Sequence, residues 1–441
     1  MTASFKTLTS DGQVLTPGDP AYDEARTVWN AMVDRHPRMI IRCASVADVV
    51  TAVRTARDLG LEIGVRCGGH SVLGLAVPDD GLMIDLTPMA GVRIDPARRR
   101  AYVQGGALLG ALDRASQRYG LATTAGNVSH TGVGGLTLGG GMGWLARQHG
   151  LACDNVLSYQ VVTASGDVIR ASRTENPDLF WGLRGGGGNF GIVTEFEFQL
   201  HEVGTRTLVA EYSFPLDAAA SVLRTWRDLN TTAPRQATFT ASLSRDGQLT
   251  AGFVWVGNPA AGRRLLPAMR ALGRPTHTHV AEMSYVDLQR REDSTGRHAL
   301  RRYSKGHYLR ELPDAAIEAF LRRGGGADLP NVGLQAYGGA IAEVSDEDAA
   351  FSHRATLFEF GTGISWTDPA EDVSRMAVAR RAADALAPFA SGVYVNALSD
   401  DGTDGVRRAY PGGKFGRLVA LKDAYDPDNV FHLNQNIRPS R

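Results

Sequence analysis

Lysine is almost missing from this chain. Of its 47 basic residues only four are lysines, and the rest are arginine. That skew is a codon signature of a GC-rich bacterial genome and carries no chemistry. Acidic residues also number 47, so formal charge is zero, which argues against nucleic acid or an anionic membrane as main partner. Cysteine is scarce too. Cys43, Cys67 and Cys153 show no CxxC spacing, so neither a zinc or other metal site nor a disulfide framework is indicated. No apolar run approaches the ~18 residues of a membrane-crossing helix. The first residues, "MTASFKTLTSDGQ", contain no apolar signal core, and the reading is a soluble cytoplasmic protein. No GK[ST] triplet is present, which excludes a Walker phosphate loop. No repeat at solenoid or propeller period is visible.

What the chain has is glycine, 51 residues of it, unevenly spread. It clusters at 64–74, 132–143, 182–191 and 412–416. From about 205 to 395 it is poorer, apart from 323–328. The length of 441 residues suits one large or two ordinary domains. "SVADVVTAVRTARDLG" has helical spacing, with Ser45 as N-cap and Gly60 as stop. "EIGVR", "GLMIDLTPM" and "RRAYVQGG" read as strands, and "YQVVTASGDVIRAS" as a hairpin about Ser165-Gly166. "ALLGALDRASQRYG" reads as a second helix. Further on, "RTLVAEYSF" and "RATLFEFGTGISW" read as strands, each followed by a helical segment. This is an α+β pattern in two differently built halves. The tail, "YDPDNVFHLNQNI", resembles nothing in the middle and is expected to return to the first half.

Two glycine-rich stretches bear on chemistry. In "VRCGGHSVLG", Gly68 and Gly69 let the backbone turn tightly and approach a ligand closely, within reach of His70. On these residues alone a loop histidine without chemistry remains the alternative. "GNVSHTGVGGLTLGGGMGW" is too glycine-rich for a packed helix or a regular strand. Unhindered backbone N–H groups suit a polyphosphate, and a dinucleotide is the obvious candidate. The Rossmann spacing is not met in this stretch. A nucleotide on another fold, or glycines serving close sheet packing, both fit.

The combination of "RCGGHS", "GLTLGGGMGWLARQHGLACDNVLSYQVVTASGDV", "NPDLFWGLRGGGGNFGIVTEFEFQL" and "YDPDNVFHLNQNI" resembles the berberine-bridge-enzyme-like FAD-linked oxidases of the vanillyl-alcohol oxidase and p-cresol methylhydroxylase superfamily. The resemblance runs over nearly the whole chain, most strongly over about 40–200 and 390–441. It implies a two-domain PCMH-type fold. Residues 1–203 and 393–441 would form a split FAD-binding domain. Residues 204–392 would form a substrate domain on an antiparallel sheet covered by helices.

It also implies roles. His70 stands where the family forms an 8α-N-histidyl bond to FAD, and neutral imidazole is suited to attack the electrophilic 8-methylene of a flavin tautomer. Val128 stands where many relatives add a second bond through cysteine, so the chain is similar to the monocovalent bacterial branch that includes 6-hydroxy-D-nicotine oxidase. His130 reads as a pocket or packing residue. Thr131 stands where valine admits oxygen and leucine obstructs it, which favours an oxidase. Arg66, Cys67, Gly68, Gly69 and Ser71 would form a pyrophosphate loop, and Gly134, Gly139, Gly140 and Gly141 belong to the second glycine-rich loop. Asp154, Asn155, Gly191 and Val193 would meet the adenosine side or the flavin. Tyr394, Asn396, Asn434 and Asn436 would approach the isoalloxazine.

Ala397 replaces the tyrosine base of many relatives, and the remaining family position that the resemblance implies for the base is Glu359 in the apolar "LFEF" strand, with burial raising its pKa. The alternative for Glu359 is a surface carboxylate. Tyr337 and Trp366 are stacking or core aromatics, and Lys414 replaces an asparagine beside the flavin. The implied activity is hydride transfer from a small alcohol, amine or secondary metabolite to flavin N5, with O2 as acceptor giving H2O2. A natural-product cyclase or dehydrogenase and an inactive flavin-binding protein are the alternatives. The only partners implied are substrate and O2, on a monomer or homodimer.

Overall fold

A computed structural model describes residues 12–293, 298–326 and 328–441. Residues 1–11, most of the stretch read for a signal segment, and Ala327 of the 323–328 glycine run lie outside them.

The first long helix shows how local chemistry sets the boundaries. Ser45 Oγ accepts from the Asp48 N–H at 3.3 Å, and the Asp48 carboxylate accepts from the Ser45 N–H at 3.0 Å. This reciprocal box starts Val46–Leu59 and is worth about 1 kcal/mol. Gly60, at φ +63°, ends it. Val49, Ala52, Val53 and Ala56 lie on one face and are fully buried. The helix is the crossover that lets strands Met39–Arg42 and Ile63–Arg66 run parallel on either side of Leu82–Asp85, with Gln13–Leu15 antiparallel at the edge. A five-stranded antiparallel sheet follows, in the order 92–95, 100–104, 192–199, 156–162, 168–172. Its last pair is the hairpin expected at Ser165-Gly166, where Gly166 takes φ +81°.

Strands between Arg206 and Trp366 build a separate seven-stranded antiparallel sheet, in the order 277–284, 206–214, 249–256, 237–243, 331–336, 358–366, 301–309. Helices Leu216–Thr231, Asp314–Arg322 and Asp372–Leu386 cover one face. There Trp226 packs on Phe358 and Phe320 on Phe360, with ring centroids 5.4 and 6.3 Å apart. Because side chains alternate along a strand, Glu359 points to the opposite face. It stands in register with Tyr308 on one side and Gln335 on the other.

The C-terminal helix Gly413–Tyr425 leaves this sheet and packs Leu418 and Leu421 into the core of the five-stranded one. Behind it the fully buried Lys422 Nζ meets Asp426 at 2.6 Å and donates to the carbonyls of Asn189 and Phe431, both at 2.9 Å. That cluster returns the tail to the first half of the chain.

Candidate active site

The glycine-rich loops and the returning tail line a long cleft. Its walls need glycine for steric reasons. A Cβ on Gly68 would lie 2.3 Å from the Gly132 nitrogen, and one on Gly132 would lie 2.4 Å from the Gly68 nitrogen, so the two loops touch backbone to backbone. Gly69 sits at φ +64°. Gly135 and Gly188 line the cleft with nothing within 4 Å of their Cβ positions.

His70 lies on this wall. Its Nε2 is 2.7 Å from Nδ1 of His130, and its Nδ1 is 3.4 Å from Thr131 Oγ1. Trp29 stacks on its ring at 5.0 Å and 12°. Burial, with added repulsion from His130, His298 and Arg302, pushes its pKa down to about 3. At neutral pH His70 is therefore an uncharged imidazole. His130 is thus a partner of His70 rather than mere packing, and Trp29 is a neighbour that no sequence motif signals.

The residues fit FAD. Glycine backbone lies open along a long cleft, a neutral histidine stands on its wall, and Asn434 Oδ1, on the same cleft, is buried without a partner among the described residues. Cys67, Gly68, Gly69, Ser71, Thr131, Gly134, Gly191, Val193, Tyr394 and Asn396 also line it. Cys67 is an unreactive thiol there, since burial pushes its pKa up to about 11.

Other residues that the resemblance assigned to the cofactor do not line the cleft. The Arg66 guanidinium turns away to the Ala25 carbonyl. Asp154 is held in a buried bidentate pair with Arg354 at 2.6 and 2.7 Å. Asn155 bonds His201 and the Leu151 carbonyl. These two acidic and amide groups serve packing between segments. Gly139 backs onto Asn396, where a Cβ would meet Oδ1 at 2.2 Å, and Gly140 and Gly141 need positive φ and close packing on Phe351 and Ala152. Val128 lies on the His130 loop, set back from the cleft wall, and Asn436 keeps a buried Oδ1 without partner.

Across from His70, Tyr394 links the cleft to a buried polar cluster. Its hydroxyl accepts from the Gly141 N–H at 3.0 Å and from Asn396 Nδ2 at 2.9 Å, which leaves its own hydrogen for a third partner. Its ring lies 6.3 Å from that of Tyr308, whose hydroxyl is 3.5 Å from that of Tyr337. Tyr337 Oη donates to Glu359 Oε2 at 2.6 Å. Glu359 is partly buried, and desolvation pushes its pKa up to about 7 against the opposing effect of the Tyr337 hydrogen bond. Glu359 is thus not a surface carboxylate. Tyr308 was missed by sequence reasoning, since an aromatic strand residue gives no signal beyond its hydrophobicity. Ala397 packs beside Gly306 and carries no proton. Trp366 belongs to the core and donates to Asp372 at 2.8 Å. Lys414 is buried and ties down the carbonyls of Ala349 and Phe351 at 3.0 and 2.7 Å.

A glycine-walled dinucleotide cleft beside a carboxylate of raised pKa defines a flavin-dependent oxidoreductase site. The comparisons agree. The FAD binding domain model matches residues 37–172, and the berberine and berberine-like model matches 393–438. An uncharacterized FAD-linked oxidoreductase, YvdP, of Bacillus subtilis is 32% identical, with 98% of each chain covered. (R)-6-hydroxynicotine oxidase of Paenarthrobacter nicotinovorans is also 32% identical over 98% of each chain. The solved 6-hydroxy-D-nicotine oxidase from Arthrobacter nicotinovorans superposes with a TM-score of 0.89 at 29% identity, covering 98% of this chain and 99% of its own. A glucooligosaccharide oxidase from Acremonium strictum, studied for its 6-S-cysteinyl, 8α-N1-histidyl FAD, superposes at 0.87 and 25% identity, over 97% of both chains. The chain belongs to the berberine-bridge-enzyme-like FAD-linked oxidases. It is an FAD-linked oxidoreductase.

Proposed function

We propose that the chain carries FAD covalently on His70 and oxidises a small alcohol or amine, with O2 as final acceptor and H2O2 as product. The observation that carries this reading is His70 itself, a neutral imidazole fixed on the cleft wall by Trp29 and His130. A histidyl linkage is what the glucooligosaccharide oxidase carries. The second linkage of that enzyme has no counterpart here, because Val128 offers no thiol at the position the resemblance assigns to it.

When bound, the flavin supplies the hydride acceptor. The chain supplies the rest. Glu359, near half-ionised at neutral pH, takes the proton that a hydroxyl or ammonium must release, and Tyr337 holds its carboxylate in place. Tyr394 stands between cleft and cluster with a hydrogen to donate. Thr131, close to valine in size, leaves room for O2 beside His70. The chain divides at 203/204 and 392/393, which puts His70 and Glu359 on different domains with the substrate between them.

Acid-precipitated protein should stay yellow, and a peptide containing His70 should carry the mass of FAD, with His70→Ala releasing it. Free flavin in the acid supernatant of wild type would refute the tether. A substrate screen with peroxide detection tests the oxidase reading. Flavin reduction by substrate without peroxide would instead make the chain a tailoring dehydrogenase.

A further inference from the structure

We infer that His130 is the proton acceptor through which the chain attaches its own cofactor, with Nδ1 of His70 forming the bond. The inference rests on the proposed covalent FAD, and deepens it by assigning the nitrogen and the base.

The two nitrogens of His70 are not equivalent. Nε2 is committed to His130 Nδ1 at 2.7 Å, a short contact in which one partner must donate. Among the described residues Nδ1 faces Thr131 Oγ1 alone, at 3.4 Å, at the edge of hydrogen-bond range. With Nε2–H donating to His130, the lone pair of Nδ1 is left free to attack. His130 then holds its own proton on Nε2, which is buried and has no partner among the described residues.

Bond formation makes a base necessary. Joining Nδ1 to carbon while Nε2 keeps its proton would create an imidazolium. Burial above all opposes that cation at His70. The other close neighbours are the Trp29 indole and the Thr131 hydroxyl, and neither is a base at neutral pH. Among the described residues, His130 alone is both in contact and able to take a proton.

The step balances as follows. The flavin 8-methyl group first gives up one proton to solvent, reaching the tautomer with an electrophilic 8-methylene. The Nδ1 lone pair of His70 forms the N–C8α bond, and the carbon–carbon π pair moves into the ring system, which is thereby reduced by two electrons. The Nε2–H bond of His70 breaks, and its proton passes to Nδ1 of His130. Dioxygen takes the electron pair and two protons, leaving as H2O2, and the ring is oxidised again.

The loop is built to hold this pair. Ser129, next to His130, donates from its backbone N–H and from Oγ to the two oxygens of Asp293 at 3.0 and 2.8 Å. The Gly68–Gly132 backbone contact fixes the His70 loop against the His130 loop.

The test uses full-length protein produced under riboflavin limitation, then given FAD in air. Covalent incorporation is followed by flavin fluorescence of the denatured band, and non-covalent FAD affinity is measured separately by titration. His130→Gln keeps a hydrogen-bond acceptor but no useful base. It should bind FAD within about threefold of wild type and attach it about 10²-fold more slowly or worse, the scale of a lost general base. His130→Ala should be equally slow, and added imidazole should restore part of the rate, which a merely structural defect would not allow. Attachment by His130→Gln within about threefold of wild type overturns the inference. So does a loss in His130→Ala that imidazole leaves unchanged. If wild type itself acquires no covalent flavin, the His70 tether fails and this inference falls with it.

Discussion

Tyr337, the residue after strand 331–336, and Glu359, on the neighbouring strand, share a 2.6 Å hydrogen bond, although neither belongs to a glycine-rich motif. The tyrosine is fully buried, and desolvation keeps its hydroxyl protonated, so it acts as donor and the carboxylate as acceptor. Glu359→Gln keeps the shape and removes the proton acceptor. Flavin reduction under anaerobic conditions should slow by roughly 10²–10⁴-fold, about 3–5 kcal/mol of barrier, with reoxidation by O2 nearly unchanged. Reduction within about threefold of wild type would remove Glu359 from the mechanism.

The same bond sets a pH dependence. Glu359 must be ionised to accept a proton, so reductive rate should fall as pH drops through about 7. Tyr337→Phe removes the interaction that opposes the rise, so its profile should move to higher pH. An unmoved profile would show that Tyr337 does not act on the carboxylate. Stability should run the other way. A carboxyl raised from 4.5 to about 7 binds more protons folded than unfolded between these values, so its contribution is present at acid pH and lost as pH rises through 7. Glu359→Gln should therefore stabilise the protein more at pH 8, by about 3 kcal/mol, than at pH 5, by about 1 kcal/mol. Denaturant titrations at the two pH values would show it, and equal shifts would contradict the assignment.

The cleft glycines should separate into two classes. Gly132→Ala places a methyl group 2.4 Å from the Gly68 nitrogen, where only backbone can yield, and should unfold the loop pair or abolish FAD binding. Gly135→Ala meets no protein atom within 4 Å and lies in the short helix Val133–Leu138. It should fold with unchanged or higher Tm, since alanine is favoured over glycine in a helix by about 0.5–1 kcal/mol. Its methyl group points into space that the cofactor needs, so FAD affinity should fall. Unchanged affinity in Gly135→Ala would show that the cofactor does not run along this wall.

Much of this was legible in the sequence, and the gaps have physical causes. Ser45 and Gly60 mark a helix because caps are local chemistry, and Gly166 marks a turn for the same reason. His70 and the glycine loops were found because close backbone approach leaves glycine as a trace. Glu359 was reached as the family position left once Ala397 stands in place of the tyrosine, and its apolar neighbours implied burial. His130, Trp29 and Tyr308 left no such trace. Their roles arise from contacts between segments 29 to 60 positions apart, such as His70 with His130, and no local pattern encodes these. Asp154 and Asn155 show the reverse case. A motif shared with relatives suggested ligand contact, while Arg354 and His201 already occupy these side chains.

Lys422 and Asp426 give the last prediction. Both are fully buried, and their pair holds the segment that brings Phe431, Leu433 and Asn434 to the cleft. The Asp426 carboxylate also accepts from the N–H groups of Val430 and Phe431 at 2.7 and 2.8 Å. Lys422→Met fills the space but leaves a buried carboxylate without its cation and takes a donor from the Asn189 carbonyl, while the Phe431 carbonyl keeps Asn434 Nδ2 at 2.9 Å. Breaking such a pair from one side costs about 3–5 kcal/mol. The loss should show in denaturant midpoints, and FAD affinity should fall with it, because the tail forms part of the cleft wall. Adding Asp426→Asn removes the stranded charge and should recover part of the stability, a coupling that a double-mutant cycle measures directly. A single Lys422→Met that costs under about 1 kcal/mol would mean the tail is held by its apolar contacts instead.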